Sequence, residues 1–153
     1  MSVDHAALFE RVVEIHNDRA WGRLGEVFTD DYAEEYPQSG EVFRGLGNAR
    51  AIRAEHPALA EGVRSARLDR STLHLAASDE QWVVTPMYTS LRVEGSGTTG
   101  TAHLRSRYPD GSLWWVVMTY ELHGDRVARA RTYFAEAFEP PDWRAPYREP
   151  TTS

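Results

Sequence analysis

The residues best suited to chemistry lie early in the chain. Between Asp30 and Gly45, the run "DDYAEEYPQSGEVFRG" joins two adjacent glutamates to a tyrosine, an amide and a hydroxyl. Adjacent strand residues point to opposite faces, so Glu34 and Glu35 cannot form a carboxylate pair, and Glu34 shares its face with Tyr32 and Tyr36. Upstream, His16 ends the apolar helical stripe Leu8, Phe9, Val12 and Val13. An imidazole in apolar surroundings either acts as general acid or base near neutral pH, or sits in the core satisfied by a hydrogen bond. Gln38 and Ser39 either meet a ligand or satisfy the turn that "PQSG" makes.

Absences narrow the chemistry further. The chain has no cysteine, which excludes disulfides, thiolate nucleophiles and Cys-ligated zinc. All 17 basic residues are arginine, so a Schiff base on this chain is impossible. His5, His56, His74 and His123 lack ligand spacing of the His-x-x-x-His kind, and no metal site is expected. Neither a Gly-x-Ser-x-Gly elbow nor a Gly-x-x-x-x-Gly-Lys loop occurs, and "GSGTTG" reads as a flexible connector.

Helices come first in the elements that must position these groups. "VDHAALFERVVEIHND" predicts an amphipathic helix capped by Asp4, and "AWGRLGEVFTDD" a shorter one stopped by Asp30 and Asp31. "YAEEYPQSGEVFRG" predicts a short hairpin, and "LGNARAIRAEHP" a third helix with Asn48 as N-cap, ending at Pro57. Beyond Arg64 the period becomes two: strands are expected over 65–77, 81–93, 100–108, 112–122 and 126–137, with the connection through "VEGSGTTGT" open between a bulge and a loop. Along the third of these regions of alternation, His103, Arg105 and Arg107 share a face that either meets a substrate or is solvated. The tail carries four of the eight prolines, which forbids a continuing helix, while Trp143 and Tyr147 suggest that it packs onto the body.

A length of 153 residues fits one domain, expected over 1–148, followed by a disordered tail at 149–153. A hydrophobic fraction of 41%, with five Trp, seven Tyr and five Phe, provides a real core. A formal charge of -6 opposes binding of a phosphate backbone, so no nucleic-acid partner is expected. No run approaches the roughly 20 apolar residues of a membrane span, and the first ten residues lack a leader pattern, so a cytoplasmic protein without a membrane partner is expected. Helices followed by long antiparallel strands predict an α+β fold, a strongly curved mixed or antiparallel sheet wrapped around N-terminal helices as a cone-shaped barrel.

The order helix, helix, "FTDDYAEEYP", hairpin, "FRGLGNARAI", strands and "YELHGDRVARARTYFAEAFEPPDWRAPY" resembles the nuclear transport factor 2-like superfamily, in its SnoaL-like and ketosteroid-isomerase-like branch. The likeness spans about residues 5 to 148. In the isomerases the first strand carries Glu-Asp-Pro, whose aspartate is the base. The matching run here is Glu35-Tyr36-Pro37, and the family's oxyanion tyrosine and protonated aspartate fall on Val12 and Met118. The usual ketosteroid isomerase mechanism is therefore excluded.

The resemblance implies a cavity lined by His16, Glu34 and Tyr36, by Trp114, Val116, Met118 and Tyr120, and by Ala130, Thr132 and Phe134. It implies an enzyme doing cofactor-free acid/base chemistry, such as cyclisation, isomerisation, dehydration or epoxide opening, on a small apolar oxygenated molecule. His16 would be acid or base, Tyr36 a donor to a developing oxyanion, and Glu34 the partner that orients His16. The alternative is a non-catalytic ligand-binding or dimerisation module of the same fold. A homodimer is expected through the outer sheet face, where Arg129 and Arg131 point.

Overall fold

In the first helix, α1 (His5–Asn17), the Asp4 carboxylate accepts from the Ala7 N–H, satisfying an end group that the helix leaves open. Its buried side is His5, Leu8, Phe9, Val12, Val13, Ile15 and His16, the spacing of one helical face. The next segment, Trp21–Glu26, is a 3-10 turn rather than an α-helix. Six residues containing Gly22 and Gly25 are too few and too flexible to nucleate α-helix, and the tighter turn suffices to bury Leu24.

The computed structural model describes residues 2–56, 67–69, 74–76, 87–107 and 112–150. Within them β1 (Phe28–Tyr36) and β2 (Glu41–Arg44) form the expected hairpin, and α2 (Leu46–Ala54) follows. Gly45, at φ +90°, takes the N-cap position that Asn48 was expected to hold. Its N–H donates to the Tyr32 carbonyl at 2.7 Å, a reversal open mainly to glycine, and Asn48 instead donates to the Arg44 carbonyl from inside the helix.

Two short strands, β3 (Arg67–Asp69) and β4 (His74–Ala76), pair with each other. The long strands are β5 (Met87–Ser96), β6 (Thr99–Arg107), β7 (Leu113–His123) and β8 (Arg126–Glu136). The remaining parts of the strands expected over 65–77 and 81–93, the turns at 78–80 and 108–111, the stop at Pro57 and the last three residues lie outside the described residues. The passage through "VEGSGTTGT" is a tight hairpin, with Ser96 paired to Thr99 and Gly97 at φ +58°.

The main sheet has the order β2-β1-β8-β7-β6-β5, parallel between β1 and β8 and antiparallel elsewhere. It is curved but not closed, since β2 and β5 stand at its two ends. Register shifts between Phe28 and Ala33, at Ser90–Arg92 and at Glu121–Leu122 break the ladder, and such bulges bend strands. Inside the bend lie Ala102, Leu104, Val116, Met118, Tyr120, Leu122 and Ala130, packed in one core with the apolar face of α1.

At the N-terminal end of α1, His5 Nδ1 and the Tyr120 hydroxyl are 2.7 Å apart. The close seat requires Gly100, where an added Cβ would stand 2.2 Å from that hydroxyl. The C-terminal segment makes a second 3-10 turn, Asp142–Tyr147, but Trp143 is 72% and Tyr147 84% exposed. These rings do not pack onto the body as expected. Among the described residues no helix is long and apolar enough to cross a membrane.

Candidate functional site

Between the inner sheet face and the helices lies a cavity of about 200 Å³. Val12, Val13 and His16 of α1 line it on one side, Ile52, Arg53 and His56 on another, and Glu34, Tyr36, Leu104, Val116, Met118, Thr132 and Phe134 from the sheet. Strand pairing sets the order of the floor: Leu104 opposes Val116 and Val116 opposes Phe134, while Met118 opposes Thr132. The Tyr36 ring packs edge-on against Phe43 and Phe134, at centroid distances of 5.1 Å each.

One cluster of charge is buried in this wall. The Arg53 guanidinium donates through Nη1 and Nη2 to the two Glu34 carboxylate oxygens, each at 3.2 Å, and through Nη1 to the Ala49 carbonyl at 2.9 Å. Glu34 is 2% and the Arg53 side chain 11% exposed, so the pair is desolvated and its charges must balance within the protein. The third side of the guanidinium donates from Nε to His16 Nε2 at 2.9 Å, and its face lies 5.4 Å over the Phe28 ring.

These partners fix the histidine. His16 Nδ1 is 2.7 Å from the Val12 carbonyl, which can only accept, so Nδ1 carries the proton. Nε2 must then accept from Arg53, and its lone pair is engaged. Burial, and after it the positive charge of Arg53, pushes the His16 pKa down to about 3. The imidazole is neutral at pH 7. Burial opposes the charge of Arg53 as well, but Glu34, with the phenols of Tyr32 and Tyr36, outweighs it and holds the guanidinium's pKa above its ordinary value. Tyr32, buried beside the pair, has its pKa pushed well above 10 by burial and then by Glu34.

Of the residues singled out in the sequence, His16, Glu34, Tyr36, Val116, Met118, Thr132 and Phe134 come together around the cavity. Gln38, Trp114 and Tyr120 do not line it. Gln38 lies at the exposed end of the hairpin and its Oε1 accepts from the Phe134 N–H. Trp114 donates from Nε1 to the Ser112 hydroxyl at 3.1 Å, and Tyr120 faces His5. The expected partnership of Glu34 with His16 runs through Arg53, which the sequence reading passed over. Its signal was present: Ala49, Ile52, Arg53 and His56 fall at helical spacing, which puts an arginine inside the apolar stripe of α2. Among the described residues no group of three or more His, Asp or Glu could hold a metal ion.

No family model matches the sequence, and no curated protein matches it. Solved structures do. A Kribbella flavida protein named for the ketosteroid isomerases superposes with a TM-score of 0.69 at 20% identity, over 96% of this chain and 89% of its own. A nuclear transport factor 2-like protein from Burkholderia xenovorans gives 0.68 at 20% identity, over 95% and 94%. The chain has the nuclear transport factor 2-like fold. A SnoaL-like polyketide cyclase from Agrobacterium tumefaciens shares that fold at 12% identity, with a TM-score of 0.61 over 88% of this chain and 93% of its own. Activities differ among these names, and at such identities the likeness speaks for the fold alone.

Proposed function

We propose that this chain is an enzyme that takes a small, neutral, mostly hydrocarbon molecule bearing oxygen into the cone cavity and moves a proton on it without a cofactor. The observation that carries the reading is the cavity wall: its described residues are apolar except for hydroxyls, imidazoles and one buried ion pair, Glu34 with Arg53. An engineered cavity of ~150 Å³ holds benzene, so about 200 Å³ suits one or two small rings, on the order of ten non-hydrogen atoms.

The roles follow from lone pairs. Each Glu34 oxygen takes one N–H from Arg53, and a carboxylate offers about four acceptor sites, so Glu34 retains capacity to receive a proton. Tyr36 donates to the substrate oxygen as negative charge develops there. His16, whose Nε2 is engaged, acts through Arg53 as a positioning residue. We also propose a homodimer built on the outer sheet face.

The same engagement of His16 favours a second reading, a non-catalytic binder of the same molecules. A panel of cyclic epoxides, β-hydroxy ketones and enones of about ten non-hydrogen atoms separates the two, with product followed by mass spectrometry. Turnover falling by about a hundredfold or more in Glu34→Gln and Tyr36→Phe, with binding retained, supports catalysis. Binding with no turnover in wild type supports the binder, and turnover near wild type in both variants sinks the assigned roles.

A further inference from the structure

Among the described residues, one hydroxyl in the cavity wall has no protein partner. Thr132 is 2% exposed, lines the cavity, and its Oγ1 makes no hydrogen bond. Buried polar atoms are almost always paired, because leaving one unmet costs the full desolvation of the group. Its ladder partner is Met118, which offers only a thioether, and two residues along the strand stands Phe134. Fold stability alone would favour valine here, which has the same branched shape, is a good strand former and leaves nothing unsatisfied.

We infer that Thr132 is the polar anchor of the cavity and that it selects molecules with a carbonyl oxygen on an otherwise hydrocarbon frame. This rests on the reading of the cavity as a small-molecule site. An unmet donor hydrogen needs an acceptor. A carbonyl supplies one and brings no hydrogen of its own, whereas an alcohol facing Thr132 brings a second O–H that needs a further acceptor. A carboxylate or phosphate is disfavoured by charge: among the described lining residues the arginine is Arg53, already committed to Glu34, His16 and the Ala49 carbonyl. Strand order brings the anchor next to the proposed chemistry, because Glu35 pairs with Arg131 and one step further along Tyr36 comes beside Thr132.

The test compares camphor with 2-methylenebornane, in which a methylene replaces the carbonyl oxygen, by calorimetric titration of wild type, Thr132→Val and Thr132→Ser. Wild type and the serine variant are expected to bind the ketone about five- to tenfold more tightly than the hydrocarbon, the worth of one hydrogen bond, and the valine variant to bind both alike. Thr132→Val is also expected to melt at a higher temperature than wild type without ligand, so stability and selectivity move in opposite directions. Equal binding of the two probes by wild type, or a ketone preference that survives in Thr132→Val, overturns the anchor while leaving the apolar site standing. Binding of neither probe overturns the small-molecule site and the anchor with it.

Discussion

Arg53 donates from Nε to His16 Nε2 at 2.9 Å while its two Nη atoms hold the Glu34 carboxylate. Three side chains from α1, β1 and α2 are thereby tied into one buried unit that carries no net charge. The helices are fastened to the sheet within the wall of the cavity. This arrangement makes the histidine a structural acceptor and leaves the carboxylate facing the ligand space.

The histidine gives the fold a pH dependence of known sign. In the unfolded chain His16 binds a proton as pH falls through 6.5, but in the folded protein it does so only near 3. Its neutral form therefore contributes stability that is complete above pH 6.5 and is lost as pH falls toward 3, by up to about 1.4 kcal/mol per unit. His16→Asn keeps a donor for the Val12 carbonyl but does not titrate. The gap in melting temperature between wild type and this variant should shrink by several degrees from about pH 7.5 to about pH 4.5. A gap that stays constant would mean that His16 is not buried neutral.

Removing one side of the buried ion pair should be costly, and removing both should not. Arg53→Met strands Glu34 in an apolar wall and is expected to lower stability in urea unfolding by about 3–5 kcal/mol. Adding Glu34→Met removes the stranded charge, and the double variant should recover most of that loss. Additive losses would show that the two groups are not coupled as the 3.2 Å contacts imply.

The fold was legible because hydrophobic period is a local property. The stripe from Leu8 to His16 and the alternation from Leu113 to Glu136 each predict their element from neighbours a few positions away. The turn Trp21–Glu26 was less so, since its apolar spacing mimics a helix while its two glycines weaken one. The site was half legible. His16, Glu34 and Tyr36 were found by type and parity, but their connection depends on Arg53, 37 positions from His16 and 19 from Glu34. A long side chain can reach across an interface that only the folded chain creates, and neither its direction nor its partner is written in the spacing. The tail shows the same limit: Trp143 and Tyr147 read as buried from their type alone, yet both are exposed.

The outer sheet face leads to the last prediction, that the protein is a dimer in solution. Val117 opposes Tyr133 and Trp115 opposes Ala135, so Trp115 and Tyr133 are diagonal neighbours on that face, 39% and 40% exposed. Arg105 lies 6.0 Å over the Trp115 ring, and Arg131 is bound to Glu35 at 3.0 Å, which neutralises a charge beside the aromatic pair. Tryptophan and tyrosine in such a setting are the residues that dominate protein interfaces, and a stable one covers roughly 800 Å² per partner. Sedimentation at micromolar concentration is expected to give twice the 17.4 kDa chain mass. Trp115→Glu with Tyr133→Glu should give a folded monomer, because both side chains point away from the cavity and the core. A wild-type monomer, or a dimer unaffected by the double substitution, would place the contact elsewhere or remove it.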